Sequence, residues 1–275
     1  MLTSDQNRKI NEIVEEFKEA ADFYRMEYSE DLMGMFRDFG CMLLLKCKVD
    51  TEGKADLERL LEGRHKLKGT VKRQLMTVSE ELAQLWEPGE QDGSGDTGEY
   101  EGSQNVREMF QTALEEIFHF CLYSKGGKNR YLLPEETAKP LLRLLTFPEG
   151  MMAGNEGLVV LDTQCGAGSA LMAASRYLKN LRLMGYEKDE EMWAAAVIMS
   201  QLSGLEMELH LEDGARADLY ESCDLVISNP VYGTDTIKDE ELIDQLPGEL
   251  KTVRGRYHME LILSLIHISE PPRPY

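Results

Sequence analysis

The sequence predicts an α/β protein in which a parallel, doubly wound sheet follows an α-helical N-terminal region. Three observations lead there. From Leu158 onward, short apolar runs closed by an acidic residue or an Asn alternate with helical segments, the pattern of a buried parallel sheet. Before that point, apolar residues recur at steps of three and four, which is helical spacing. Between these regions lies Glu87–Gln104, rich in Gly, Asp and Glu and almost without apolar side chains. Such a segment buries too little to offset the entropy of ordering it.

The elements follow in order. Ile10, Ile13, Val14, Phe17, Ala21, Tyr24 and Tyr28 mark one face of a helix over about Asp5–Tyr28. A second helix is expected over Asp31–Lys48. A third is expected over Lys54–Trp86 with a break near Gly69, after which Val71, Leu75, Val78, Leu82 and Leu85 keep the helical step. This makes residues 1–86 a helical N-terminal domain and 87–104 a flexible acidic linker. The domain from 105 to 262 opens with helices over Val106–Tyr123 and Pro134–Leu145. Strands are expected at Leu158–Leu161, Leu181–Tyr186, Met207–Leu211 and Cys223–Ser228, with helices at Ser169–Leu178 and Glu190–Leu202. No internal repeat is present in the sequence. Residues Leu263–Tyr275 match, with one departure, the translated string of a transposon-type sequencing adaptor. They are expected to be a non-native tail, which leaves the sheet incomplete at its C-terminal end.

Composition narrows the function. The chain has 275 residues, 42% of them hydrophobic, enough to bury a core. Acidic residues outnumber basic ones by 50 to 30, a formal charge of −20. That excludes a surface that is basic throughout, whereas phosphate contacts supply most of the affinity of a free-standing DNA binder. A nucleic-acid substrate would need a local basic patch or a basic partner. Arg64–Arg73 is the one dense basic cluster, and it reads either as a solvated helix face balanced by Glu58 and Glu62 or as a contact for phosphate. The five cysteines, Cys41, Cys47, Cys121, Cys165 and Cys223, are scattered, and no pair has metal-ligand spacing. A reducing, cytoplasmic compartment without a metal site is expected. Met42–Leu45 is far too short to span a bilayer.

In a doubly wound sheet, ligands bind beyond the carboxyl ends of the strands, so the residues closing each run carry the chemistry. The first end reads Asp162-Thr-Gln-Cys-Gly-Ala-Gly-Ser169. Gly166 and Gly168 permit a tight turn, and the helix behind them offers unpaired N–H groups. The second end is Glu187, about twenty residues past the Gly loop, where an acid accepts hydrogen bonds from ribose hydroxyls; an N-cap or surface carboxylate is the alternative reading. The third is Glu212-Asp213-Gly214, with Asp213 either a ligand acceptor or a surface acid. The fourth is Ser228-Asn229-Pro230-Val231-Tyr232-Gly233. An Asn carbonyl followed by the Pro carbonyl can accept both hydrogens of a planar amino group. An adjacent aromatic ring can stack on the base that carries it. Met192 and Trp193 read as core or as a wall of the ligand site.

The spacing D-x-x-x-G-x-G resembles the first motif of class I S-adenosylmethionine-dependent methyltransferases, and Asn229-Pro-Val-Tyr232 resembles the [DNS]-P-P-[YFW] motif of amino-methyltransferases. Read together, the four strand ends resemble the adenine-specific DNA methyltransferases, most nearly the modification subunits of type I restriction systems. The likeness extends over about Val106–Leu261. It implies a Rossmann-like class I methyltransferase sheet and S-adenosylmethionine as cofactor. It also implies DNA as the partner, with target recognition lying after the truncation or on another, specificity subunit. Asp162, Cys165, Gly166, Gly168, Glu187 and Asp213 would hold the cofactor. Asn229 and Pro230 would orient the amine, and Tyr232 would stack the base. Arg130-Tyr-Leu-Leu-Pro-Glu-Glu-Thr-Ala-Lys139 resembles the Tyr-x-x-Pro segment of that family, which adds Tyr131 and Thr137 to the cofactor site. Thr163 and Ala167 depart from the family's Gly loop, and Val231 stands where the motif has Pro. Two other readings stay open: a methyltransferase of the same fold acting on ribosomal RNA or a protein glutamine amide, and a degenerate, non-catalytic binding module.

Overall fold

A computed structural model describes residues 2–50, 54–62, 67–86, 100–124, 132, 157–178, 180–214 and 223–229. The chain divides into two compact units, Met1–Lys128 with Gln201–Gly204, and Asn129–Ser200 with Leu205–Tyr275.

In the first unit the helices are α1 (Ser4–Glu27), α2 (Met33–Lys46), α3 (Ala55–Glu62), α4 (Gly69–Ala83) and α5 (Tyr100–Leu122). A capping box starts α1. The Gln6 N–H donates to the Thr3 hydroxyl at 3.3 Å, and the Thr3 N–H donates to the Gln6 side chain at 2.7 Å. Behind that cap, Ile10, Ile13, Val14, Phe17, Ala20, Ala21 and Tyr24 are buried along one stripe. That stripe packs against α4 and α5. Helix α2 is buried almost all round, because it packs against both α4 and α5. The Phe17 and Phe39 rings meet edge to face at 5.0 Å. The expected long third helix is two helices. Gly69 has φ +63°, a left-handed conformation that cannot continue a right-handed helix from Lys68.

Helix α5 reaches back to Tyr100, inside the expected linker, and belongs to the helical unit, which extends to Lys128. Its stripe of Met109, Phe110, Ala113, Leu114, Ile117, Phe118, Cys121 and Leu122 is buried. The Phe118 ring lies 5.1 Å from that of Phe36 on α2. The acidic, Gly-rich composition marks a connection, and the helix after it finds its apolar partners among the helices before it. Residues 87–99 of that connection, the helix expected over Pro134–Leu145 and the tail from Leu263 lie outside the described residues.

The second unit holds β1 (Leu158–Asp162), α6 (Ser169–Tyr177), β2 (Leu181–Glu187), α7 (Glu190–Ser203, of which Glu190–Ser200 belong to this unit), β3 (Met207–Leu211) and β4 (Leu225–Val226). The strands form a parallel sheet in the order β3-β2-β1-β4. Leu161, Val160 and Leu158 on β1 and Leu183 on β2 are buried, as are Ala194 to Met199 along α7. Trp193 is core: its indole N–H donates to the Leu209 carbonyl of β3 at 3.2 Å. The fourth strand is shorter than Cys223–Ser228, yet its flanks follow β1 closely. The Val159 N–H donates to the Asp224 carboxylate at 2.9 Å, and the Ile227 N–H donates to the Leu161 carbonyl at 2.9 Å. No described helix is long and apolar enough to cross a membrane.

Candidate functional site

Strand order fixes where a ligand belongs. From β1 the chain moves to β2 and β3 on one side, then returns to place β4 on the other. The switch point therefore lies between β1 and β4, and the crevice opens beyond their carboxyl ends. Asp162 closes β1, Glu187 closes β2, Asp213 follows β3, and Asn229 follows β4.

The loop between β1 and α6 is held by its own backbone. The Cys165 N–H donates to the Tyr186 carbonyl at 2.9 Å, and the Gly168 N–H to the Cys165 carbonyl at 2.8 Å. Gly166 and Gly168 have φ +55° and +80°, so both glycines are needed for backbone conformation. Gly168 caps α6 without any side-chain cap, which leaves first-turn N–H groups to a ligand or water. Cys165 is buried, and a Cβ on Gly185 of β2 would stand 2.9 Å from its sulfur. Burial, then the nearby Asp162 and Glu187 carboxylates, push the Cys165 thiol well above its ordinary value. It packs the loop, and a thiolate nucleophile is excluded.

Glu187 braces this loop. One carboxylate oxygen accepts the Gly166 N–H at 2.9 Å, and the other accepts the Asp189 N–H at 2.7 Å. Asp189, rather than Glu187, caps α7, accepting the Glu191 and Met192 N–H groups at 3.0 and 3.2 Å. A carboxylate has lone pairs for about four hydrogen bonds, so Glu187 keeps acceptor capacity for ligand hydroxyls. Its pKa is raised, chiefly by burial, against the lowering effect of the backbone donors.

Asp162 is buried at the switch point, with its carboxylate accepting the Gln164 N–H at 3.0 Å. Burial pushes its pKa up to about 7, with the Glu187 charge adding to the rise; the Gln164 N–H and the Ser228 side chain oppose it. The Ser228 side chain favours the charged form of Asp162. Ser228 Oγ and Thr163 Oγ1 are both buried without a hydrogen-bond partner among the described residues. Such orphans cost about 1–3 kcal/mol each. They point to a missing polar group at this edge of the sheet.

Asp213 is one-third exposed, with Lys188 Nζ 3.9 Å away. Beside it, a Cβ on Gly214 would fall 2.1 Å from the Thr163 carbonyl oxygen, so the end of β3 presses directly on the Gly loop. Asn229 is half-buried after β4. The described structure thus gathers Asp162, Cys165, Gly166, Gly168 and Glu187 tightly, with Asp213 and Asn229 at neighbouring strand ends. Tyr131, Thr137, Pro230 and Tyr232 lie outside the described residues. Sequence reasoning missed Gly185, Gly214, Thr163 and Ser228 as site-shaping residues. Gly214 and Ser228 stood inside strings already singled out, and their small size was the available signal. Among the described residues no group of three or more His, Cys, Asp or Glu side chains could hold a metal ion.

These residues fit a cofactor with a ribose and a charged amino-acid end: an acid at the β2 end, a Gly loop shaped for close approach, and a buried acid beside orphaned hydroxyls. Known proteins share this fold. The structure is similar to a class I S-adenosylmethionine-dependent methyltransferase described from Listeria monocytogenes, with TM-score 0.58, 17% identity, and coverage of 96% of this chain and 71% of that one. It is also similar to a type I restriction-modification system methyltransferase subunit from Streptococcus thermophilus, with TM-score 0.52, 15% identity, and coverage of 94% and 72%. At such identity the likeness establishes the fold. No curated protein matches the sequence. The signature of the N-6 DNA methylase family matches residues 107–254, more than half of the chain. The chain therefore belongs to the N-6 DNA methylase family, with the class I methyltransferase fold and S-adenosylmethionine as its cofactor.

Proposed function

We propose that this protein methylates the exocyclic amino group of adenine in DNA, working with a separate specificity subunit in a restriction-modification-type system in the cytoplasm. The observation that carries this reading is that Ser228 and Asn229, which follow β4 across the switch point from Asp162, open the sequence string Asn229-Pro230-Val231-Tyr232. Bound S-adenosylmethionine supplies an electrophilic methyl group, so that a C–N bond forms as the C–S bond breaks with its electron pair left on sulfur. Asn229 and the Pro230 carbonyl accept the hydrogens of the amine, which turns its lone pair toward the methyl group. The nitrogen then loses one proton to solvent. Tyr232 stacks on the flipped base. Glu187 and Asp213 hold the nucleoside end of the cofactor, while the Gly166–Gly168 turn admits its backbone-close portion. Tyr131 and Thr137 line the same site. Most of the rate gain in such a transfer comes from proximity and in-line orientation, which suits a site built from backbone turns and single side chains.

The acidic balance of the chain, −20, supports a basic partner that carries the DNA. The Streptococcus thermophilus structure is titled as a subunit of such a system. The test is transfer of labelled methyl groups to DNA, ribosomal RNA and a glutamine-bearing protein, with and without a co-expressed specificity subunit. N6-methyladenine in DNA is expected, lost in Asn229→Ala while cofactor affinity stays within about two-fold. Methylation of RNA or protein alone would overturn the substrate assignment.

A further inference from the structure

The roles above leave the one dense basic cluster of the chain unused. Residues 63–79 contain no acid, and Arg64, Lys66, Lys68, Lys72 and Arg73 fall within them, in a chain of formal charge −20. The described part of that run is the start of α4. Lys68 stands at its N-cap, where the Lys68 N–H donates to the Tyr28 hydroxyl at 3.1 Å. Lys68, Lys72 and Arg73 are exposed. Lys68 and Lys72, four residues apart, share one side of the helix, with Arg73 beside Lys72. Val71, Leu75, Val78 and Leu82 are buried on the other side.

We propose that Lys68, Lys72 and Arg73 form a contact on the helical unit for the phosphate backbone of DNA. This rests on reading the substrate as DNA. Pairing sets these cations apart. Elsewhere in the unit Arg8 lies by Asp5 and Glu12, Lys18 by Glu15, Arg25 by Asp22, and Lys46 by Glu80. Among the described residues Lys68, Lys72 and Arg73 have no ion pair, not even with Glu58 or Glu62, the acids that balance them in the sequence. Helix polarity sets them apart as well. Helices α1 and α3 follow the helix dipole, with Asp5, and Asp56 and Glu58, in the first turn and Arg25 and Arg59 in the last. Helix α4 runs against it, with cations at its start, no acid in its first turn and no base in its last. Local stability disfavours that arrangement, and an anion at the helix start relieves it. The form of the patch selects the anion. The apolar side of α4 is already buried, so the exposed side offers charge rather than an apolar groove for a protein or a membrane. Four residues of helix rise about 6 Å, a length over which duplex DNA carries about three or four charges.

Binding of short duplexes by the full chain, followed by fluorescence anisotropy over a range of salt, reads the patch. The variant carrying Lys68→Gln, Lys72→Gln and Arg73→Gln is compared with Arg8→Gln, which removes a cation already paired. Each phosphate contact contributes about 0.9 to the slope of log affinity against log salt. The triple variant is expected to lower that slope by about 2.7, so that a four-fold rise in salt costs it about forty-fold less affinity than it costs the unmodified protein. Lys72→Gln alone should lower the slope by about 0.9. The loss should be equal on duplexes of unrelated sequence, and Arg8→Gln should leave the slope as it is. Because the three cations oppose the helix dipole, the triple variant should unfold at the same urea concentration or a higher one, which separates lost binding from lost fold. An unchanged slope in the triple variant, or an equal fall in Arg8→Gln, would overturn the proposal. So would displacement of the duplex by an equal charge of polyglutamate, which would make the occupant an acidic protein segment. Failure of the unmodified protein to bind any duplex at low salt also overturns the patch, and the methyl-transfer assay above then decides separately whether DNA is the substrate.

Discussion

The two compact units bury charge in opposite ways. In the helical unit the buried charged residues are Arg37 and Asp38, neighbours of opposite sign on α2. In the sheet unit, Asp162 and Glu187 share a sign, both sit at the ends of adjacent strands, and both have raised pKa values. The Glu187 charge adds to the rise that burial imposes on Asp162, and Glu187 is itself raised chiefly by burial, with Asp189 adding to it. Phe17, Phe36, Phe39 and Phe110 are fully buried in the helices, and among the described residues polar atoms buried without a hydrogen bond occur in both units, Gln74 Oε1 in the first and Thr163 Oγ1 and Ser228 Oγ in the second.

The widest separation of the two units comes from a cavity in the first. Phe36 is fully buried on α2 and packs on Phe118. Phe36→Ala is expected to lower stability by about 3–5 kcal/mol, through lost transfer energy and the void left behind. Urea unfolding followed by far-ultraviolet circular dichroism measures this. Cofactor affinity, titrated well below the midpoint, should stay within about two-fold. A ten-fold loss of affinity would mean that the helical unit helps to build the ligand site.

The reverse experiment leaves the helices alone and displaces the site. A Cβ on Gly214 would meet the Thr163 carbonyl oxygen at 2.1 Å, and neither atom belongs to a flexible side chain. The loop behind Asp162 must give way by about an ångström, a displacement that costs about a hundred-fold where groups have to be aligned. Gly214→Ala is therefore expected to cut kcat/KM for methyl transfer by about that factor, with the helical circular dichroism signal retained. Activity within a few-fold of normal would mean that the end of β3 is free to move away from the loop.

How much of this was legible in sequence follows the same division. The face of α1 from Ile10 to Tyr24 is a matter of spacing within one helix, and it packs as that spacing says. The β1, β2 and β3 runs are equally local, and their closing acids mark strand ends in the structure. What sequence hides is the identity of the partner across space. Helix α5 follows a segment that looks like a domain linker, yet its stripe is buried with the helices before it. Glu187 sits among other acids, and only the fold distinguishes it, as the brace of the Gly loop, from Asp189, the helix cap. Gly185 and Gly214 are plain glycines until Cys165 and Thr163 are seen against them. Val231, by contrast, was visible at once as a departure from the methyltransferase motif, because that motif is contiguous.

The finest comparison of the two units is their response to pH. Folding raises the Asp162 pKa from an ordinary 3.8 to about 7. Between those values the folded, cofactor-free protein holds a proton that the unfolded chain has lost. The contribution of Asp162 is therefore fully present below about pH 4 and disappears as pH rises towards 7, with a slope of up to about 1.4 kcal/mol per pH unit. Glu187 is raised as well and adds to the slope in the same direction. In the helical unit Glu16 is raised in the same direction, by burial and by the Glu81, Glu19 and Glu12 charges, so the difference between the unmodified protein and Asp162→Asn is what isolates the sheet unit's share. Unfolding free energies at pH 5, 6 and 7 should thus decline more steeply for the unmodified protein than for Asp162→Asn, whose amide is neutral throughout. Parallel curves for the two proteins would show that the carboxyl already has a cationic partner in the free protein, and the contrast between unlike charges buried in the helical unit and like charges at the strand ends would then have no pH signature.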